Sequence, residues 1–397
     1  MELSRRASAI ASSVTLAIDS KAKAMIAQGI DVVGFGAGEP DFDTPEYIRE
    51  AAKAAIDGGK TRYTPVAGTL TLRQAIGEKL KKENGLDYDA SQIVVSSGAK
   101  HSLFNTFSVL LNPGDEVIIP APYWVSYPEL VKIAGGTPVF VETSEENGFK
   151  MTMEDLKAAV TEKTKALVLC NPCNPTGAMY GREELQQIAD LAVEKEFFVV
   201  SDEIYEKLVY TDEPYVSIAS LGEDIKKQTI LINGASKAYA MTGWRIGYTA
   251  CEPAIAKLMT NLQSQATSNP SSVAQYAFEA ALSQPCHEMP GMIKTFDERR
   301  RILCAGINEI PGLSCREPKG AFYVLMNISG VFGKKFQDET IKDSMDFARM
   351  LLDAYHVAVV PGVAFGNDNY VRLSYATSTE KIIEGIRRMD AFARDLV

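Results

Sequence analysis

A lysine just past an apolar run, with a hydroxyl beside it and an arginine eight residues on, marks the segment Ser236-Lys237-Ala238-Tyr239-Ala240-Met241-Thr242-Gly243-Trp244-Arg245-Ile246-Gly247. The run before it, 229–232, reads as a strand ending in the turn residues Asn233-Gly234. An amine placed there can form a Schiff base with an aldehyde cofactor. Ser236 and Arg245 can hold that cofactor's phosphate. An isolated lysine is usually just solvated, so the chemistry depends on what else the fold brings to this strand end.

Several polar residues follow other apolar runs in the same way. Asp202 comes directly after 197–201 and can either pair with a protonated pyridine nitrogen or cap a helix. Tyr205 lies three residues later, near enough to serve the same ligand. Asn174 sits in Asn171-Pro172-Cys173-Asn174-Pro175-Thr176-Gly177, a rigid loop that is either a plain turn or a mount for an amide facing a ring oxygen. Ser97-Gly98-Ala99-Lys100 links a strand to a helix, and its small residues allow backbone N–H groups to approach a phosphate. Trp124 can stack on a flat ring or fill a core. Arg372 lies among apolar neighbours in a strand, where a guanidinium needs an anion, from an internal carboxylate or from a substrate. Gly34-Phe35-Gly36-Ala37-Gly38 suggests a dinucleotide loop. That reading fails because Glu39-Pro40-Asp41-Phe42 stands where a helix should open.

These residues need a framework, and the apolar pattern supplies one. Short runs at 92–95, 116–119, 166–169, 197–200, 229–232 and 246–250 predict strands, with helices at 99–111 and 183–195 between them. Near-continuous apolar strands alternating with helices indicate an α/β sheet buried on both faces, with ligands gathered beyond the strands' carboxyl ends. After about residue 285 the pattern changes to a long charged helix at 289–310, strands at 321–326 and 357–360, a half-buried strand at 370–375, and helices at 343–355 and 379–395. This is a second, smaller α+β unit.

A chain of 397 residues, 46% hydrophobic and 23% charged, suits two globular domains. A net charge of −10 argues against nucleic acid as a partner. No leader-like or bilayer-length apolar run is present, so no membrane is expected and the cytoplasm is the expected location. Six scattered cysteines include Cys170 and Cys173 at CxxC spacing. With three unclustered histidines and no second cysteine pair, no metal site is expected, and the cysteines read as buried thiols in a reducing compartment.

With these residues assembled, the chain resembles the class I pyridoxal-phosphate aminotransferases, in particular the aspartate aminotransferases of the bacterial Ib subgroup. The likeness runs from about residue 4 to the C terminus. It rests on Ala37-Gly38-Glu39-Pro40-Asp41-Phe42, Tyr123-Trp124-Val125-Ser126-Tyr127-Pro128, Asn174-Pro175-Thr176-Gly177, Ser201-Asp202-Glu203-Ile204-Tyr205, Ser236-Lys237 with Trp244-Arg245-Ile246-Gly247-Tyr248, and Val371-Arg372-Leu373-Ser374. The resemblance implies fold type I of the pyridoxal-phosphate transferases, with a large domain at 36–285 and a small domain formed by 1–35 and 286–397. It implies that pyridoxal 5'-phosphate is held covalently by Lys237, that Asp202 pairs with the ring nitrogen, that Asn174 and Tyr205 bond the ring oxygen, and that Trp124 stacks on the ring. Gly98, Ala99, Ser236 and Arg245, bordered by Lys100, would hold the phosphate, with Tyr63 reaching in from the second subunit of a homodimer. Arg372 would take the substrate α-carboxylate, helped by Gly38, Asn174 and Trp124, while Lys100 and Thr15 would meet a distal carboxylate. Cys173 replaces the asparagine common at its position, a tolerated loop variation. The implied reaction moves the amino group of L-aspartate to 2-oxoglutarate. Prephenate or aromatic aminotransfer is the alternative, and a C–S lyase, which Lys100 argues against, is the more distant one.

Overall fold

The computed structural model describes residues 3, 4, 8, 10 and 14–397, with only the backbone described at 14–17 and 19. Its larger sheet has seven strands in the order Ile93–Ser96, Gly247–Ala250, Thr229–Gly234, Phe198–Asp202, Thr164–Cys170, Glu116–Ala121, Thr137–Glu142. All run in one direction except Gly247–Ala250, which is antiparallel to both neighbours. Side chains alternate between two covered faces. Val117 and Ile119 pack with Leu103 and Phe107 of the helix Ala99–Leu110. Ile118 packs on the other side with Leu185 and Ile188 of the helix Arg182–Lys195. Both faces need apolar side chains, which is why the strands read as unbroken apolar runs.

The six expected strands of this sheet are found within one or two residues of their expected bounds. The edge strand Thr137–Glu142 has no such signature, because Pro138 interrupts it and Phe140 remains 43% exposed. The smaller sheet is antiparallel, in the order Val360–Pro361, Tyr370–Ser374, Tyr323–Asn327, Ser314–Cys315. It shares a core with Phe296, Leu303, Phe347 and Phe392 from the helices Met289–Asn308, Ser344–Tyr355 and Thr379–Arg394.

Two expectations for this unit need correction. The strand expected at 357–360 divides in two. Val357–Ala358 pairs in parallel with Val33–Gly34, whereas Val360–Pro361 joins the smaller sheet. The strand at 370–374 is buried at every position rather than alternately, because it lies inside the sheet and its polar residue, Arg372, is covered by neighbouring side chains. Among the described residues no helix is long and apolar enough to cross a membrane.

Candidate active site

Because six strands of the larger sheet share a direction, their carboxyl ends meet along one edge. The strand Ile93–Ser96 delivers the Ser97-Gly98 turn there, Thr164–Cys170 delivers the Asn174 loop, Phe198–Asp202 delivers Asp202, and Thr229–Gly234 delivers Ser236 and Lys237. The antiparallel strand begins at this edge, since Gly247 lies opposite both Ser96 and Gly234. Arg245, two residues before it, therefore returns to where the chain left with Lys237. That return explains the lysine–arginine spacing. A cleft of about 570 Å³ opens here, within the usual size of small-molecule sites. Gly38, Ala99, Lys100, Trp124, Asn174, Asp202, Tyr205, Ser236, Lys237, Arg245 and Arg372 all line it.

The Lys237 Nζ donates to the Gly38 carbonyl at 2.5 Å. Its pKa is lowered to about 8, first by burial and further by the cations Arg245 and Arg372, while Glu39 and Asp202 oppose the shift. An amine tuned this way can exchange a proton near neutral pH. Glu39 is itself fixed by the Thr242 hydroxyl at 2.7 Å.

Asp202 is 4% exposed and forms no ion pair among the described residues. Burial raises its pKa to about 6, against the opposing hydrogen bonds from Tyr127 and the Ile204 N–H. The Tyr127 hydroxyl donates to Oδ2 at 2.7 Å, and the Ile204 N–H reaches Oδ1 at 3.3 Å. The second contact is the local cap, so Asp202 both caps its turn and faces the cleft. Beside it the hydroxyls of Tyr205 and Tyr323 lie 3.0 Å apart. Burial and then Tyr323 push the Tyr205 pKa up, which keeps the phenol protonated.

The edge also forms a cradle for an anion. Gly98 has φ +87°, and a Cβ there would lie 2.6 Å from Arg245 Nη2. A Cβ on Gly247 would lie 2.5 Å from the Ala99 N. These glycines let the start of the helix Ala99–Leu110 and the Arg245 guanidinium approach closely, and Ser236 lines the same cleft. Arg245 is oriented by the Thr242 carbonyl at 2.9 Å.

Arg372 is 5% exposed and, among the described residues, has no carboxylate partner. Its Nη1 donates to Asn174 Oδ1 and its Nη2 to the Gly36 carbonyl, each at 3.1 Å. Among the described residues its Nε has no hydrogen-bond partner. The guanidinium lies 4.4 Å from the ring centre of Tyr323 and 5.0 Å from that of Phe365. A buried cation held by neutral groups calls for an anionic ligand. Across the cleft, Lys100 Nζ lies 4.9 Å from the Trp124 ring, and burial, then Arg245, lowers its pKa.

Two further expected residues stand apart from this set, Tyr63 having been expected from the second subunit. Tyr63 is 91% exposed and does not line it. Thr15 belongs to the helix Val14–Ala27, but its side chain is outside the described residues. Tyr127, Tyr323 and Phe365 are structural partners of the site that sequence pattern alone did not single out. Tyr127 lies 75 residues from Asp202 in the chain, and the other two read as core, which they also are.

Comparison with known proteins agrees with this geometry. A family model described as aminotransferase class I and II matches residues 30–389. The aspartate aminotransferase of Bacillus subtilis (strain 168) is 50% identical over 392 residues, covering 99% of each chain. A protein of Aquifex aeolicus (strain VF5) named as a probable aspartate/prephenate aminotransferase is 47% identical, over 98% of this chain and 97% of its own. Among solved structures, the aspartate aminotransferase from Rhizobium meliloti superimposes with a TM-score of 0.97 at 43% identity, over 100% of both chains. That of Thermus thermophilus, solved with maleate, gives 0.93 at 44% identity, over 99% of this chain and 100% of its own. With a match that spans nearly the whole chain and full-length relatives at half identity, the protein belongs to the class I and II aminotransferases.

Proposed function

We propose that this aminotransferase uses pyridoxal 5'-phosphate held by Lys237 to move the amino group of L-aspartate to 2-oxoglutarate, giving oxaloacetate and L-glutamate. The observation that carries this reading is the convergence in one cleft of an amine of lowered pKa, a buried carboxylate, an anion cradle and a buried arginine that has no carboxylate partner among the described residues. Each of these groups matches one part of the cofactor or of an amino acid. The cradle at Gly98, Ala99, Ser236 and Arg245 suits a phosphate, and Asp202 suits a protonated ring nitrogen. Tyr205 and Asn174 suit a ring oxygen, and Trp124 suits the ring face. The bound cofactor supplies an aldehyde that captures an amine and a ring that spreads negative charge.

The chain's own groups do the rest. Arg372 grips the α-carboxylate in a bidentate fashion and fixes the amino acid's orientation. Lys237 Nζ would take the α-proton of the bound amino acid and hold it for return on the cofactor side of the amino nitrogen. A base whose pKa is about 8 suits both transfers near neutrality. Tyr127 keeps Asp202 ionised by donating to it, and so holds a negative charge at the ring nitrogen. Lys100 supplies a second cation for a distal carboxylate, with Thr15 assigned beside it. Maleate in the Thermus thermophilus structure is a dicarboxylate of aspartate's chain length, which supports the choice of donor.

The same reading places the boundary of the large domain at 36–285 and gives 1–35 and 286–397 to the small one. The hydrophobic cluster built around Phe296 and Phe347 draws most of its residues from 286–397 and takes in Val33 and Phe35, which supports that division. It also makes the protein a homodimer in which Tyr63 serves the other subunit's phosphate, supported by the outward exposure of Tyr63. The six free cysteines support a cytoplasmic setting.

Relatives named aspartate/prephenate aminotransferase favour prephenate as a second amino acceptor. The deciding experiment compares kcat/KM for aspartate and for phenylalanine with 2-oxoglutarate, and for glutamate with prephenate, in the wild type and in Lys100→Met. The dicarboxylate reading expects aspartate to lead and to lose about tenfold or more in Lys100→Met, from one lost charge-assisted contact. An aspartate rate unchanged by that substitution, or one below the phenylalanine rate, would refute it.

A further inference from the structure

The segment Cys170-Asn171-Pro172-Cys173 lies against the cleft, yet the proposed reaction leaves both thiols unused. Cys170 ends the strand Thr164–Cys170, pairs in register with Asp202, and lines the cleft beside Asp202 and Tyr127. Cys173 shares a smaller neighbouring cavity with Cys170 and Asn174. Both thiols are free and half-buried. Cys170 Sγ donates to the Pro172 carbonyl at 3.5 Å, within the same turn that carries Cys173. The neighbouring Cys170 thiol, followed by Thr176, lowers the Cys173 pKa, while Cys173 and burial push Cys170 up. One sulfur is thus prepared as a nucleophile, with a protonated thiol beside it as the resolving partner. Cys173 is directly followed by Asn174, whose Oδ1 accepts from Arg372.

We infer that Cys170 and Cys173 are a peroxide-oxidisable dithiol whose reversible disulfide disturbs the Asn174–Arg372 contact. The Cys173 thiolate attacks one oxygen of hydrogen peroxide, the O–O bond breaks, and the departing hydroxide is protonated to water, leaving a sulfenic acid on Cys173. The Cys170 sulfur then attacks the Cys173 sulfur. The S–O bond breaks as the S–S bond forms, and the hydroxide leaves as a second water with the Cys170 proton. Two thiols and one peroxide give one disulfide and two waters, and a dithiol reductant reverses the change. A disulfide holds its two sulfurs about 2.05 Å apart in a fixed geometry, so closure pulls on the backbone at Asn174. The effect on substrate rests on the reading of Arg372 as the carboxylate clamp, whereas the cross-link itself does not.

The test treats the holoprotein with hydrogen peroxide and maps its peptides by mass spectrometry without reduction, beside Cys170→Ser and Cys173→Ser. The expected result is a peptide that joins Cys170 to Cys173 and has lost two hydrogens, absent from both variants and reversed by dithiothreitol. With it, the wild-type KM for the amino donor rises about tenfold, as for one weakened charge-assisted hydrogen bond. Oxidation at Cys286 or elsewhere while Cys170 and Cys173 stay reduced overturns the inference, as does a cross-link with unchanged KM. Because the cross-link is read by mass, it supports the thiol pair even in a protein that transfers no amino group, a result that would refute the proposed function alone.

Discussion

At the scale of single residues, the site depends on charges that its surroundings hold away from their ordinary protonation. Burial lowers Lys237 to about 8 from 10.5 in the cofactor-free protein. Between those values the unfolded chain binds more protons at this position than the folded one, so the stability assignable to Lys237 rises with pH across that window. Below about pH 8 the folded protein bears the full cost of a charged, half-buried amine. Lys237→Met removes that cost. The stability difference, variant minus wild type, measured by urea unfolding of cofactor-free protein, should be most favourable to the variant below about pH 8 and shrink towards 10.5. A flat difference would show that the amine is not perturbed. The sequence made Lys237, Asp202, Asn174 and Arg372 visible because each follows or lies within an apolar run. It could not show that Tyr127 reaches Asp202, or that Tyr323 and Phe365 flank Arg372, because those contacts join distant parts of the chain.

At the scale of elements, two local arrangements keep these residues in place. The turn at Gly98 works only without a side chain, given its positive φ and the 2.6 Å approach of a Cβ to Arg245. Gly98→Ala should weaken pyridoxal phosphate binding to the apoprotein about tenfold or more, through backbone strain and a displaced guanidinium. Titration with the cofactor checks this, and unchanged affinity would remove the turn from the site. Behind the strand ends lies a buried ionic cluster in which Glu206 meets Lys79, takes Asn84 Nδ2 at 2.8 Å and takes Asn233 Nδ2 at 2.8 Å. It ties the helix Leu70–Asn84 to the strand that delivers Lys237. Lys79→Met removes the cation in contact with buried Glu206, and should cost about 3–5 kcal/mol in urea unfolding. Apolar runs of four or five residues announced the strands of the larger sheet, but their order and the reversal at Gly247–Ala250 come from pairing, which no local pattern encodes. The edge strand Thr137–Glu142 stayed hidden because a half-exposed edge does not need an apolar run.

At the scale of the whole molecule, the cleft joins residues from both sheets, with Asp202 on the larger, Lys237 just past one of its strands and Arg372 on the smaller. In the proposed dimer, Tyr63 of one subunit completes the phosphate site of the other. Mixing Lys237→Ala with Tyr63→Ala then creates heterodimers in which one site has both wild-type residues and the other has neither. After refolding together, activity should recover to about a quarter of wild type, from half the dimers carrying one intact site each. No recovery would place Tyr63 outside its neighbour's site. The central claim, that Lys237 makes this cleft an aminotransferase site for a dicarboxylic amino acid, is tested most directly by a single turnover. Holoprotein is mixed with L-aspartate and no oxo acid, and oxaloacetate is counted against active sites. The account predicts one oxaloacetate per site in the wild type and none in Lys237→Ala. Absence of oxaloacetate until 2-oxoglutarate is added, or its formation by Lys237→Ala, would contradict it.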